Sequence, residues 1–475
     1  MPLDEFQGND HQDNDLRQRR RALSACVDEL LRHAPYAHAF AQRKDGMTFR
    51  AATRQSAIEP VDPVQGVVLS AWTGSTLLEV STTSLDDDSL RVSTARLADL
   101  VRQHGSPSYA RPIDPGPAVE QDFVVPEEVP AESLSLDDRL GRVVDVKNRI
   151  HARDPRVKNA VARGTHLRTE ELFVGPTRCL YQDLRRAEMV CFVVMESGGR
   201  AADLHGGRGR QGGAEHLTLD DHDIDELVVD CARMLHASRV EGGTYRCVFM
   251  PDVAGLFAHE AFGHGTEADM FTKRRAKGAE FLGKRVASEL VDMFDNPALV
   301  GHAASYFFDH EGQLAAPTQI IERGILKAPM TDLVSATRLD LPRSANGRRE
   351  SVQRKAYTRM SNTYFGAGRS SLADVLAALD DGLIVRHARN GMEDPKGWGI
   401  QCEAYLAEEV KGGLPTGRVF SPIVITGYVP ELLQSIDMVS DHVEIGGLGT
   451  CGKGYKEWVK VTDGGPALKL QARVA

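Results

Sequence analysis

A helix needs about 18 consecutive apolar residues to cross a membrane, and this chain of 475 residues has no such run. Its first stretch, MPLDEFQGNDHQDNDLRQRRRALSACVDELL, has basic residues but no apolar core behind them, so it does not read as a secretion signal. There is no CxxC pair. The seven cysteines (Cys26, Cys179, Cys191, Cys231, Cys247, Cys402 and Cys451) are odd in number and widely spaced, which argues against a disulfide framework and for reduced thiols in a cytoplasmic setting. A basic surplus is missing too. Lys+Arg 57 against Asp+Glu 67 gives a net charge of −10, the wrong sign for a general nucleic-acid binder. No repeat of fixed period occurs, and GGRGRQGG at 206–213 lacks the GK[ST] ending of a phosphate-cradling loop, so it reads as a flexible loop. What remains is an ordinary globular composition, 41% hydrophobic and 26% charged. The length suits about two or three domains, large enough to need no disulfide or metal staple.

The pattern along the chain predicts an α+β fold. Residues 1–16 are polar and are expected to form a disordered tail. From 17 to 240 helical and strand-like stretches mix into an N-terminal α/β region with a mixed sheet. A segment rich in Pro and acidic residues, about 105–132, is its best linker. From 241 to 475 short apolar stretches separated by Gly, Pro and Asp predict a largely antiparallel β domain that carries a single prominent helix. Asp309, His310 and Glu311 read as a hairpin turn with a charged tip, His302 and His310 as surface histidines, and Trp398 as either a pocket wall or a core cap.

That helix carries the chemistry. In YRCVFMPDVAGLFAHEAFGHGTEADMF, residues 245–271, a strand leads into Pro251, a residue suited to the first helical turn. His259, Glu260 and His264 then form an HExxxH pattern. Imidazoles are good zinc ligands, and an adjacent carboxylate can deprotonate a metal-bound water. The familiar metalloprotease spacing is HExxH. At ~100° per residue, side chains at i and i+4 stand ~40° apart and those at i and i+5 ~140° apart. A regular α-helix cannot aim both histidines at one metal, so Gly263 is expected to end, widen or bend the last turn. The plain alternative is two histidines on an ordinary helix. A third ligand is needed. Cys451, in GGLGTCGKG beside Lys453, is a thiol that glycines present and a cation can ionise. Glu267 and Asp269 are its rivals. Arg359, Asn362 and Thr363, in RMSNT, have polar groups suited to binding an extended peptide, or they form a structural turn.

The HEAFGHGTEAD stretch and the Gly-rich Cys loop do not stand alone. FLGKRVASELV (281–291), FFDHEG (307–312), IERGILKAPMTD (321–332), ANGRRES and RMSNTYF (345–365), AYLAEEVKGG (404–413) and the stretch from Ile425 to Val439 accompany them. Together these residues resemble the TldD/PmbA family of zinc metalloproteases, strongly from about 240 to 475 and more weakly from about 21 to 240. The resemblance implies that His259, His264 and Cys451 hold Zn2+ and that Glu260 is the catalytic base of a peptidase acting on short or unstructured peptides. The family pairs active subunits with relatives that lack HExxxH, so a homodimer or a heterodimer with a related subunit is implied, with this chain of the active type. Two other readings compete: a non-catalytic or partner-dependent scaffold subunit, which would have no need of Glu260, and a structural zinc domain, which would need a fourth protein ligand.

Overall fold

The computed structural model describes residues 15–105, 110–454 and 456–475. Residues 1–14, most of the expected tail, lie outside these, as do 106–109 of the expected linker. Asp15 accepts the Arg17 N–H as a helix cap, and Leu16, expected in the tail, is buried.

The N-terminal half is an eight-stranded mixed sheet in the order β4-β3-β1-β6-β7-β5, with β2 added on β1 and β8 on β7. The strands are β1 (Tyr36–Ala51), β2 (Ser56–Pro60), β3 (Val64–Trp72), β4 (Leu77–Thr82), β5 (Val119–Val124), β6 (Val157–Val174), β7 (Arg178–Ser197) and β8 (Arg200–Gln211). Only the β5–β7 pairing is parallel. β5 comes from the segment read as a linker, which here adds an edge strand to the sheet. Residues 206–211 were expected in a flexible loop, but they are β8 and pair in register with β7. The physical reason is close approach: a Cβ at Gly207 would stand 2.0 Å from the Met189 carbonyl oxygen, so glycine is what lets the two backbones meet.

Side chains alternate across each strand. Ala37, Ala39, Ala41 and Phe49 of β1 face one side. There they pack with apolar stripes of α1 (Arg20–Leu31), α2 (Asp87–His104), α3 (Leu136–Arg153) and α4 (Asp221–Met234). The helix starts are legible locally. Asp86, Ser135 and Asp220 each accept a backbone N–H three residues on, Ser135 in a capping box with Asp138. Each fully buried Leu or Val on these stripes contributes about 1.5–3 kcal/mol.

The opposite face of β1, β6 and β7 docks on the C-terminal half. Phe40 stacks on His310 at 4.7 Å. The Gln182 carboxamide oxygen accepts from the backbone N–H of Phe307 at 2.8 Å, and its amide donates to the Phe308 carbonyl at 3.0 Å. The 309–311 turn is therefore not a solvated tip. Asp309 is 1% exposed and Glu311 2%, because the turn inserts against the sheet. His310 is correspondingly no surface residue: its Nδ1 accepts the Arg349 N–H and its Nε2 lies 3.3 Å from Glu171. Burial alone would raise the Glu171 pKa, but His310, Gln42 and Gln182 outweigh it and bring it down to about 2. A depressed carboxylate stabilises the fold above its unfolded pKa, and that stability is lost as pH falls through the folded value. Wild type should therefore exceed Glu171→Gln in urea midpoint above about pH 4.5, and the gap should close as pH approaches 2. A gap that persists there would show that the carboxylate's charge is not what matters.

In the C-terminal half, five strands close into a ring. β9 (Gly243–Phe249) pairs in parallel with Gly382–Asp394 and antiparallel with Leu468–Val474. The ring is completed, all antiparallel, through Ile423–Tyr428 and Gly399–Lys411 back to Gly382–Asp394. A second sheet contains Met293–Asp295, Asn362–Phe365 and Thr462–Gly465. A helix, α5 (Pro251–Phe257), leaves β9 and buries Val253, Ala254 and Phe257 in the main core with Phe249, Val385, Ile400 and Cys402.

Candidate metal centre

α5 does not continue as an α-helix. Residues Ala258–Gly263 form a π-helical turn, followed by a 3-10 turn over His264–Thr266. The His264 N–H donates to the His259 carbonyl, an i→i+5 bond, and a turn of that width brings residues five apart onto one face. The His259 and His264 rings then lie 5.1 Å apart at 88°. Gly263 permits this packing. A Cβ there would sit 2.2 Å from the Met360 sulfur.

Cys451 arrives from a distant part of the chain, in a two-residue pairing of Thr450–Cys451 with Val459–Lys460. Its Sγ lies 3.3 Å from His264 Nε2. One ligand atom each from His259, His264 and Cys451 falls within 4.8 Å of the others, and His259 and Cys451 are buried. His259 Nδ1 is buried with no hydrogen-bond partner among the described residues. Two imidazoles and a thiol in this arrangement fit a tetrahedral, borderline-soft divalent ion and leave one position open.

The surrounding shell is ionic. Burial opposes a thiolate, yet His264 and His259 hold Cys451 well below the ordinary thiol range, and Arg359 Nη2 donates to the sulfur at 2.8 Å. Burial likewise opposes a charged imidazole, but Cys451 and Glu267 hold His264 well above its usual value. Glu267 Oε2 is 3.1 Å from His264 Nδ1 and 3.1 Å from Lys453 Nζ. Its other oxygen is 3.4 Å from Arg359 Nε. Asp269 takes Lys453 at 2.7 Å and Lys273 at 2.9 Å. Neither rival acid joins the three donors: Glu267 contacts the far nitrogen of His264, and Asp269 is occupied by lysines. Lys453 serves these acids, while the cation on the sulfur is Arg359.

Arg359, Asn362 and Thr363, expected to meet a peptide, do not line a groove. All three are 0% exposed. Arg359 spans Cys451, Glu267 and the Glu457 carbonyl. Asn362 donates to the Asn296 carbonyl at 2.6 Å, and Thr363 to Asp295 at 2.8 Å. Trp398 is fully buried against Phe262 and Phe281, a core cap. Sequence reading missed Gly391: a Cβ there would stand 2.5 Å from Glu260 Cγ, so the strand Gly382–Asp394 runs directly over the Glu260 side chain. A second cluster, Glu226, Asp230 and His387, is already neutralised, with Asp230 taking His387 at 2.7 Å and Arg233 at 3.0 Å.

A mixed α+β fold with a largely buried His/His/Cys donor set beside a glutamate is the frame of a metallopeptidase-type protein. Residues 242–474 match the model of the PmbA/TldA metallopeptidase C-terminal domain. The chain is 32% identical over 302 residues to Metalloprotease MJ0996 of Methanocaldococcus jannaschii, a match spanning 63% of this chain and 64% of that relative. It is 30% identical over 356 residues to the Metalloprotease TldD homolog of Haemophilus influenzae, covering 72% of each. Its fold is similar to TldE from Thermococcus kodakarensis, with a TM-score of 0.75 at 16% identity over 96% of this chain and all (100%) of that one. The chain belongs to the TldD/PmbA metallopeptidase family. No helix among the described residues is long and apolar enough to cross a membrane.

Proposed function

We propose that this chain is a zinc-dependent peptidase of the active, TldD-like type, hydrolysing short or unstructured peptides in the cytoplasm. The observation that carries the reading is the convergence of His259, His264 and Cys451 within 4.8 Å of one another, with Glu260 close enough to feel the charge of all three. When bound there, Zn2+ would supply Lewis acidity at the open position. The chain's own residues account for the rest. Glu267 takes the Nδ1–H of His264 and so leaves Nε2 as the donor nitrogen. Arg359 donates to the sulfur that the two histidines hold anionic. Burial raises the Glu260 pKa, opposed by His259 and His264, which suits a group that takes a proton from the attacking water and returns it to the leaving amine.

Substrate shape follows from the strand over Glu260. Gly382–Asp394 pairs with β9 only at Leu383, Ile384 and Val385, so past that point its edge has no strand partner among the described residues. An extended peptide can add to such an edge through main-chain hydrogen bonds, which favours unfolded segments over folded proteins. The seven cysteines are all free, in keeping with a reducing compartment. Partner choice rests on the family: a homodimer or a heterodimer with a related subunit.

The test is metal content by elemental analysis beside peptide cleavage. Wild type should carry about one zinc per chain, and both Cys451→Ala and His264→Ala should lose it together with cleavage. Zinc retained by Cys451→Ala would remove the thiol from the ligand set. Zinc bound without cleavage until a related subunit is added would favour the partner-dependent reading.

A further inference from the structure

The strand that covers Glu260 carries a carboxylate that nothing above employs. Register along Gly391↔Cys402, Met392↔Gln401 and Glu393↔Ile400 is regular, so Glu393 lies on the same strand face as Gly391, which packs on Glu260. Both Glu393 oxygens are shielded from solvent, and neither has a hydrogen-bond partner among the described residues. The charges around it are His264 on one hand and Glu260, Glu267 and Asp394 on the other. The cations of the metal centre are committed to other groups, Arg359 to Cys451 and Glu267, and Lys453 to Glu267 and Asp269.

A buried carboxylate is tolerated when it is paired or neutral. Burial, the largest influence here, pushes Glu393 well above the carboxylate range despite His264. Without a ligand the group is therefore held as the neutral acid, and a cation placed beside it would favour loss of that proton and leave both oxygens as acceptors. No third metal-ligating side chain gathers around it, since Glu393 belongs to neither of the donor clusters among the described residues. Met392 points to the opposite, exposed face, while Glu393 as a whole residue is only half-buried, so its own side of the strand also borders solvent. A substrate group that fits must be cationic, compact and rich in donors.

We propose that Glu393 is a specificity-determining residue that receives a protonated amine of the peptide close to the scissile bond. The amine is either the α-ammonium of the substrate or a lysine side chain. This rests on the peptidase reading, and it extends that reading from peptides in general to peptides carrying an amine at a defined distance from the cut.

The experiment uses zinc-loaded wild type, Glu393→Gln and Glu393→Asp with matched peptides: free against acetylated amino terminus, and lysine against norleucine at successive positions. The expected result is that Glu393→Gln lowers the ratio of kcat/KM for the amine peptide over its neutral match by about tenfold or more, the worth of a hydrogen bond to a charged group. Glu393→Asp should keep part of the preference. The pair that shows the effect identifies the amine. An equal loss on charged and neutral peptides, or loss of zinc from Glu393→Gln, would overturn the proposal and make Glu393 a support of the centre. Fluorescence anisotropy of the same peptides on the Glu260→Gln protein separates the two readings. If wild type cleaves none of them, the peptidase reading fails. Amine-selective binding that Glu393→Gln abolishes would still uphold the recognition role, and binding without selectivity would sink it.

Discussion

Glu260→Gln should lower peptide cleavage by about 10²–10⁴-fold, the usual worth of a positioned acid–base group, and leave zinc content as in wild type. The amide has the size of the carboxylate but cannot accept a proton. Glu260 is outside the three-donor cluster, so its loss removes no ligand. It packs against the Gly391 backbone, a contact an isosteric side chain keeps. The comparison therefore separates a catalytic carboxylate from a structural one. Cleavage that survives in Glu260→Gln would exclude it as the base, whatever the metal does.

The second large effect is expected at Glu267. This carboxylate is 1% exposed and touches His264, Lys453 and Arg359 at once. Burial raises its pKa, but Lys453, His264 and Arg359 outweigh this and hold it ionised. Glu267→Ala leaves two buried cations without it, and breaking such a pair costs about 3–5 kcal/mol. It also frees the ring of His264, and losing an outer partner of this kind lowers metal affinity by about 10–100-fold. Urea denaturation of the metal-free protein reads the first loss and competition with a zinc chelator reads the second. If stability falls while affinity holds, Glu267 serves the fold alone. If neither moves, the ionic shell has no energetic weight.

The sequence carried the chemistry of the site further than its surroundings. HExxxH at 259–264 and the glycine-flanked thiol at 451 are short, local signals, and the i+5 spacing itself demanded a distorted turn near Gly263. The π-helical turn over Ala258–Gly263 supplies that distortion. Roles that depend on what a side chain meets were less legible. RMSNT offers polar groups, and polar groups look alike whether they line a groove or a core. Only packing shows that Arg359 reaches across to Cys451 and that Asn362 and Thr363 are held inside by Asn296 and Asp295. The 206–213 glycines read as a loop because glycine marks both loops and close strand contacts, and β7 decides between them.

Composition and patterning by themselves pointed to an α+β chain without an apolar run long enough for a membrane helix, and the resemblance of its short motifs to the TldD/PmbA family added the expectation of two histidines and a cysteine as ligands and a glutamate as base. These are properties of residue type and local period, which the chain states directly. Tertiary structure alone decided that Glu267 backs His264, that a guanidinium and not Lys453 faces the sulfur, that the Asp309–Glu311 turn is buried between the two halves, and that Glu393 lies without a partner beside Glu260. Apart from the Glu267–His264 contact, which joins residues three positions apart but is fixed by Lys453 and Arg359 from far along the chain, each of these depends on residues tens to hundreds of positions apart meeting in one low-dielectric place. There a charge is worth what its neighbours make it, and no local pattern records that.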